Sequence, residues 1–497
     1  MPSRRPVAPA PFVLKALVGA ALCLAGVGTS PITAADYHVG PGQPLATIGD
    51  APWTSLQPGD RVLIHWRDTP YREKWVLNRR GTPDAWISVI GVPGPQGQRP
   101  VISGDGAVTA PGLNFWNEQR GLIKIGGSNS PPDALPAYLR IEGLELRSAR
   151  PPYTFTNDGG GVETYSSNAA SIYVEKAEHL VIRDCVIHDS GNGIFVGVNG
   201  GQTRDLLIEG NDIFDNGISG SIFEHNTYTE AIGIVYQFNR FGALRAGAGG
   251  NNLKDRSAGL VVRYNWIEDG NRQLDLVDGG SSVFTHPSYG ETFVYGNVLI
   301  EGDGEGNSQI AHYGGDGGDT GRYRKGKLYF FSNTVVSTRS GNTTVLRLST
   351  QDESADVRNN VLYAESGGNR LAMLDATGDL TLRHNWTRPG WRDSHGTLTG
   401  TIDDDGSGVE GADPGFVDMA SQSFRPAAGS SLIDAGTAQE PGAVAHPLLR
   451  QYLQNLGSEP RPADAALDIG AWEFCPGPCA GIFADGFESG DLGAWSP

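Results

Sequence analysis

One short apolar pattern that turns at an asparagine recurs along this chain, and it constrains the fold more than any other feature. Seven segments carry the asparagine, HLVIRDCVI places Cys185 in the same slot, and YLRIEGLEL places Leu144 there. From Cys185 onward the slots lie 26, 28, 26, 32, 36, 27 and 25 residues apart. Self-similarity with a nearly fixed period marks a repeat architecture. The repeated asparagines are Asn211, Asn239, Asn265, Asn297, Asn333, Asn360 and Asn385.

Each repeat alternates apolar residues with period two, as at Leu180 and Ile182, and no 3.6-residue helical face is present. Short strands that stack on the same strand of the next unit give a parallel β-helix, and parallel crossovers are usually right-handed. The asparagine amide can donate and accept along such a stack. Alternatively, the asparagines only mark turns. We predict an all-β chain that forms a single-stranded, right-handed parallel β-helix with an N-terminal cap and a C-terminal appendage.

Pattern changes along the chain predict five segments. Residues 1–35 resemble an export signal, with a basic start, an apolar run too short to span a membrane, and small residues at the end. We therefore expect a secreted protein, extracellular or periplasmic, without a membrane span. The other predicted segments are 36–135 (N-terminal cap and first coils), 136–400 (β-helix with the central active-site coils), 401–474 (C-terminal cap or closing segment) and 475–497 (tail).

The net charge of −18 argues against a general binder of nucleic acid or of anionic lipid. We expect a monomer whose partner is an anionic polysaccharide. Of the four cysteines, Cys475 and Cys479 in CPGPC are close enough for a disulfide in an oxidising compartment. A metal site there would need more ligands than this tail offers.

Basic residues stand out in the central coils. Lys254 and Arg256 are two residues apart in NNLKDRS, so a strand points both side chains the same way, and Asp275 in the next coil should share their face. A row of this kind is often a solvated charge ladder. The glycines and long loops around it favour a functional groove instead. The residues that could line this groove are His225, Glu230, Lys254, Arg256, Asp275, His312 and Arg347.

The reaction that suits such a groove is β-elimination on a polysaccharide that contains uronic acid. A base removes the proton beside the carboxylate, whose charge an arginine can neutralise. We expect Lys254 as the base, because a nearby cation lowers the pKa of a lysine, and Arg256 as the neutraliser. His225 or His312 would be an alternative base, or the acid for the leaving oxygen. The expected substrate-binding residues are Arg272, Asp275, Tyr228, Tyr313 and Arg347.

The export signal, the β-helix, and a central-strand lysine with a neighbouring arginine resemble the β-helical polysaccharide lyases, in particular the alginate and chondroitin B lyase group. The resemblance implies a secreted lyase for a uronate polymer and a bound Ca²⁺, for which Asn226 and Glu230 are the matching ligands. Ala248, Gly249 and Gly250 stand where that group has acidic residues. The DPGF, LIDAG and DIGA segments after residue 400 resemble the closing segment of many exported bacterial β-helix proteins.

Two other functions fit the same fold. A glycoside hydrolase would need paired carboxylates across the sugar, and Asp275, Asp278 and Glu230 could supply them. A non-catalytic surface or adhesion protein that binds carbohydrate would leave the charged row purely structural.

Overall fold

The computed structural model describes residues 34–304, 306–454, 456–462 and 466–475. Its architecture is three long sheets in which strands pair in parallel with the equivalent strand of the next coil. The exception is Val162–Thr164, at the end of one sheet, which pairs antiparallel with Thr154–Thr156. This arrangement is a parallel β-helix and confirms the predicted all-β fold. The pairing begins at Asp36–Val39, so the segment predicted as a cap and first coils contributes strands to the helix.

The strands of the three sheets follow one another in regular order. The first sheet contains Asp36–Val39, Arg61–His65, Ile87–Val92, Ala137–Glu142, Glu178–Arg183, Arg204–Glu209, Ile232–Gln237, Ala258–Arg263, Glu291–Tyr295, Lys327–Phe331, Ser354–Arg358, Asp379–Arg383 and Thr401–Asp404. The second sheet contains Val101–Ser103, Glu145–Arg147, Val186–His188, Asp212–Ile213, Arg240–Phe241, Trp266–Glu268, Val298–Glu301, Thr334–Ser337, Val361–Ala364, Trp386–Thr387 and Val409–Glu410. The third sheet contains Val162–Thr164, Thr154–Thr156, Ala107–Thr109, Glu73–Leu77, Gly121–Ile125, Ala170–Val174, Asn192–Val196, Thr227–Thr229, Leu253–Asp255, Leu274–Leu276, Gln309–Tyr313, Thr343–Leu348 and Leu371–Leu374.

The remaining elements are short. Three antiparallel pairs join Asn114–Phe115 with Ser128–Ser130, Phe416–Asp418 with Ser423–Pro426, and Arg450–Leu453 with Gly457–Pro460. One α-helical turn covers Ser281–Phe284. The 3₁₀ turns are Ile48–Asp50, Glu118–Arg120, Asn199–Gly201, Pro287–Gly290, Thr320–Arg322, Gly368–Arg370 and Pro441–Ala443.

The seven repeated asparagines form one buried ladder. The side-chain amide of each one donates to the side-chain oxygen of the next, at 2.9–3.1 Å from Asn211 to Asn385. The same oxygen accepts the backbone N–H of the preceding asparagine at 2.8–3.0 Å. Cys185 occupies the predicted slot, and its N–H donates to Asn211. The sequence prediction of a stacked asparagine corner is therefore confirmed.

The ladder sits directly after a sharp turn in the chain. The residue before each ladder asparagine is left-handed, with φ between +49° and +65°. Gly210 and Gly296 adopt this conformation easily, but Phe238, Tyr264 and His384 do not, because a Cβ atom makes it cost about 1–2 kcal/mol. The hydrogen bonds of the ladder offset that cost. Asparagine thus fixes a turn as well as a register.

The segment after residue 411 packs against the outside of the helix. Phe424 stacks on Trp266 at 5.7 Å between ring centroids, and His446 stacks on Phe293 at 3.7 Å. The backbone N–H of Leu449 donates to the Tyr264 hydroxyl at 3.0 Å. This segment therefore covers an outward aromatic face of the central coils.

Three sequence predictions concern the ends of the chain. The predicted export signal lies almost wholly outside the described residues. Cys475 is disulfide-bonded, while its predicted partner Cys479 lies outside the described part of the chain. No described helix is long and apolar enough to cross a membrane. Secretion stays a prediction.

Replacement of Asn297 by leucine should destabilise the fold. The Asn297 side chain takes part in five hydrogen bonds with Val262, Tyr295, Asn265 and Asn333. Loss of these partners leaves buried backbone groups unpaired, so we expect unfolding to become easier by about 1–3 kcal/mol. Urea denaturation would measure it, with Asn369→Leu as the control because Asn369 is exposed. Equal stability of both variants would contradict a structural ladder.

Candidate active site

One row of side chains runs along the outside of the third sheet through six successive strands. Strand pairing places Phe195 next to Tyr228, Tyr228 next to Lys254, and Lys254 next to Asp275. Asp275 is followed by His312 and then by Arg347. Because neighbouring strands lie about 4.8 Å apart, this row spans about 24 Å. The alternation of each strand thus brings residues 195 to 347 onto one face.

This row forms the floor of a cavity of about 770 Å³. Its walls carry five basic side chains against three acidic ones (Glu224, Asp275 and Asp316), although the whole chain has a net charge of −18. The cavity is therefore a local basic site on an acidic protein. Eight of the predicted site residues line it, namely His225, Tyr228, Lys254, Arg256, Arg272, Asp275, His312 and Arg347.

Lys254 is held between two carboxylates. Its ammonium lies 2.6 Å from Asp275 Oδ2 and 2.5 Å from Asp316 Oδ2. The side chain is only 8% exposed. Asp255, the next residue along the chain, faces the interior and pairs with Arg324. The Lys254 nitrogen therefore donates hydrogen bonds to both carboxylates, and these contacts engage the atom that a base would present to the substrate.

Arg256, two residues after Lys254 in the chain, belongs to the same ion-pair network. Its Nε–H donates to the Tyr228 hydroxyl oxygen at 3.0 Å, and its Nη2 lies 2.8 Å from Asp316 Oδ1. Burial opposes the charge, but Tyr228 and Asp316 together raise the pKa of the Arg256 guanidinium. Lys254 and Arg256 therefore hold opposite oxygens of the one Asp316 carboxylate.

Asp275 is a buried anion with all its partners in place. Burial alone would raise the pKa of its carboxyl, but the His312 hydrogen bond and the Lys254 charge lower it far below its usual range. Oδ2 also accepts a hydrogen bond from Asn251 at 2.8 Å. Asp275 therefore positions the basic residues, and neither of its oxygens is free for a sugar.

His312 lies between Asp275 and Ser349. Its Nδ1 is 2.8 Å from Asp275 Oδ1, and its Nε2 is 2.8 Å from Ser349 Oγ. Burial lowers the pKa of His312 more than Asp275 raises it, so the ring is neutral near neutral pH. A neutral ring then donates from Nδ1 and accepts from Ser349. Both ring nitrogens are engaged, so the structure does not favour His312 as acid or base.

His225 presents one nitrogen to the cavity. Its Nδ1 accepts the backbone N–H of Asn251 at 2.8 Å. Burial and the Lys254 charge lower the pKa of His225 to about 3, so the imidazole is neutral and its proton is on Nε2. A neutral ring in this tautomer is a hydrogen-bond donor toward a ligand. His225 is therefore not suited to be the base.

The loop that carries Asp316 is anchored from behind. Asp278 Oδ1 accepts the backbone N–H groups of Asp316 and Gly317 at 2.7 and 3.0 Å. Arg324, which follows the loop, is fully buried, and its Nη2 donates to Asp255 Oδ1 at 3.1 Å. The interior ion pair thus supports both the Lys254 strand and the loop opposite it.

Three predicted site residues lie elsewhere. Tyr313 follows His312 on its strand and points into the apolar core, where its side chain is fully buried. Asn226 is also inside, with its amide bonded to Asn252 at 2.5 Å and to the Gly242 carbonyl at 2.9 Å. Glu230 accepts the backbone N–H of Gly280 away from the cavity. The buried Tyr313 therefore cannot make the predicted contact with a sugar in the cavity. Asn226 and Glu230 lie outside the cavity lining, and their role as calcium ligands stays a prediction.

The described residues contain no group of three His, Cys, Asp or Glu side chains arranged to hold a metal ion. Because Ca²⁺ also binds amide and backbone oxygens, this finding does not test the expected Ca²⁺ site. It stays a prediction that came from the resemblance alone.

The cavity residues that sequence reasoning missed include Asp316, Asn251, Glu224 and Phe195. Phe195 could have been found by extending the alternation one coil upstream from Tyr228. Glu224 is 5% exposed, and its Oε2 has no hydrogen-bond partner within the described structure. Asp316 lies on a long loop, whose path no strand period predicts.

No protein-family model matches this sequence, and a search of curated proteins finds no match. Several solved structures have a similar fold, and those named here are distant in sequence. Pectate lyase Pel9A has 14% identity and a TM-score of 0.48, over 89% of this chain and 97% of its own. The alginate lyase from Paenibacillus sp. str. FPU-7 has 13% identity and a TM-score of 0.42, over 71% and 94%.

The GH136 lacto-N-biosidase from Eubacterium ramulus has 14% identity and a TM-score of 0.42, over 76% of this chain and 67% of its own. Lyases and a glycoside hydrolase are thus found together among the similar structures. At these values, none of them indicates an activity for this chain.

Asp275→Asn should destabilise the protein by about 3 kcal/mol near neutral pH, because it removes the partner of a buried ammonium. The pKa of Asp275 is lowered by folding, so its ionised form stabilises the protein above its unfolded pKa of about 3.9. That stabilisation declines as the pH falls below this value. The difference between wild type and variant in urea denaturation should therefore narrow from about pH 6 to about pH 3. Asp84→Asn, on the exposed surface, is the control, and a pH-independent difference would contradict a depressed pKa.

Proposed function

We propose that this protein is a polysaccharide lyase that cleaves a uronic-acid polymer by β-elimination in the basic cavity. The observation that carries the proposal is the position of Lys254 and Arg256 around one carboxylate, that of Asp316. A uronate carboxylate has the same planar pair of oxygens. Two cations on its two oxygens would neutralise the charge that opposes removal of the adjacent proton.

In this proposal the Asp316 carboxylate of the free protein occupies the position that the substrate carboxylate takes on binding. Its side chain is 36% exposed, far more than that of Asp275, which is 3% exposed. An arriving uronate would displace the Asp316 side chain, while Asp275 and Asp278 continue to hold Lys254 and Arg256 in position. The clamp is thus preorganised, and the substrate exchanges one carboxylate for another.

Tyr228 is the best-placed group for proton transfer. Its hydroxyl oxygen accepts the Arg256 Nε–H, and the Lys254 ammonium lies 5.9 Å from its ring centroid. As phenolate, Tyr228 takes the proton from carbon five, the electron pair forms the carbon four–carbon five double bond, and the carbon four–oxygen bond breaks. The phenol then gives that proton to the leaving oxygen, which restores the phenolate.

The other cavity residues have supporting roles in the proposal. His225 donates from Nε2 to a substrate oxygen. Arg347 has no hydrogen-bond or ion-pair partner among the described residues and lines the cavity, so it can bind a second acidic group of the polymer. Hydrolysis is less well supported, because the carboxylates first considered for it (Asp275, Asp278 and Glu230) already have protein partners.

Two substitutions distinguish Tyr228 from Lys254 as the base. Tyr228→Phe removes the proton-transfer group, so turnover should fall by about 10²–10⁴. Lys254→Arg keeps the charge but cannot become neutral, so it should retain part of the activity if Lys254 only binds the carboxylate. The measurement is the ultraviolet absorbance of unsaturated products from alginate, polygalacturonate and chondroitin.

Both variants should be checked for an unchanged melting temperature, since Lys254 is largely buried. If Lys254→Arg is inactive while Tyr228→Phe is active, the base is Lys254 and not Tyr228. New reducing ends without unsaturated products would indicate a hydrolase. If wild type forms neither unsaturated products nor new reducing ends, the enzymatic proposal is contradicted.

Replacement of Asp316 by alanine tests the exchange of carboxylates. The variant frees one face of Lys254 and Arg256, so the KM for the uronate polymer should fall while kcat changes little. Raised salt should weaken substrate binding in both proteins, because the attraction is electrostatic. The control is Asp319→Ala on the same loop, because Asp319 is exposed and pairs with Arg322. If the KM of Asp316→Ala equals or exceeds that of wild type, Asp316 does not compete with substrate.

A further inference from the structure

The charged row continues upstream as a strip of aromatic rings. Tyr173 and Phe195 stack with their planes 8° apart and their centroids 5.1 Å apart. Phe195 meets Tyr228 edge to face at 5.5 Å. All three are successive outward residues of the third sheet, by the pairing of their strands. The proposed proton-transfer residue is therefore the last ring of an aromatic surface.

Arg120 braces this strip from the side. Its guanidinium lies 4.7 Å from the Tyr173 ring centroid and 4.8 Å from that of Phe195, and Nη1 donates to the Tyr173 hydroxyl at 3.2 Å. Cation–π contacts of this kind fix the positions of the rings. Phe195 thus has a defined orientation, yet it stays partly exposed at the cavity.

Two further apolar side chains on a loop line the same cavity. Phe223 is 72% exposed and Ile222 is 64% exposed. Leaving such side chains in water is unfavourable, and apolar surface of this kind often marks a binding site. Here the surface is continuous with the cavity that holds Lys254 and Arg256.

We propose that Phe195, Phe223 and Ile222 form a sugar-binding subsite for the apolar face of a pyranose ring in the same chain as the clamped uronate. This proposal rests on the proposed function for the identity of the chain. Phe195 lies two strands from Lys254, which corresponds to about 10 Å. One pyranose ring does not cover that distance, so the subsite requires at least one further sugar between. The protein therefore binds the interior or a long end of a polymer, and short oligosaccharides reach only the clamp.

The experiment measures binding as well as cleavage, with disaccharides and long chains of alginate and of polygalacturonate as probes. Phe223→Ala and Phe195→Leu should weaken binding of long chains by about three- to tenfold in calorimetry, the size of one lost aromatic contact. Binding of disaccharides, which cannot span the clamp and the subsite, should not change in Phe223→Ala. The matched control is Val162→Ala, because Val162 is also 72% exposed but does not line the cavity.

The outcomes separate the subsite from the proposed function. If wild type cleaves the polymers and both variants keep the wild-type dependence on chain length, the subsite is wrong and the lyase proposal stands. If wild type forms no unsaturated product but both variants lose affinity for long chains, the subsite stands and the lyase proposal fails. Absence of binding to every probe overturns both.

Discussion

The asparagine ladder is the interaction on which the rest of this structure depends. A buried hydrogen bond contributes about 1 kcal/mol net, and the Asn265 side chain alone takes part in five. That sum, about 5 kcal/mol, exceeds the cost of about 1–2 kcal/mol for the left-handed Tyr264 beside it. Because the ladder admits one asparagine per coil, it also fixes which residue of one coil lies beside which residue of the next. A slip by one residue would turn every side chain to the other face.

The candidate site follows from that register. Once the coils are aligned, Tyr228, Lys254 and Asp275 must be neighbours although they come from three different coils. Behind them, Asp255 points inward and pairs with Arg324 where water cannot reach. A charge pair in such a place is costly unless its hydrogen bonds are complete, and Thr229 and Ser257 complete those of Asp255. On the strand Leu253–Asp255, the outward Lys254 thus lines the cavity, whereas the inward Asp255 forms the interior ion pair with Arg324.

The repeated features of the structure could be predicted from the sequence alone. The asparagine corner, the parallel β-helix and the pairing of Lys254 with Asp275 all follow from period-two alternation within a periodic frame. The same rule excludes Tyr313, since it is adjacent to the outward His312 and must point inward. Asn226 precedes its strand at a corner, where alternation does not apply. Asp316 could not be predicted, because its loop is anchored by Asp278 and Arg324 through contacts that are specific to this chain.

A charge ladder and a binding site need not be alternatives. Lys254 satisfies the description of a structural cation, since it is buried and paired on two sides. Of its two partners, however, one is an inner carboxylate with complete hydrogen bonds, and the other is an exposed loop carboxylate that Arg256 shares. Removal of the inner partner would leave a buried ammonium with only the exposed carboxylate beside it, whereas replacement of the outer one by another carboxylate conserves every charge. Under the proposed function, the asymmetry between Asp275 and Asp316 is therefore what lets a stable ion-pair network accept an acidic ligand.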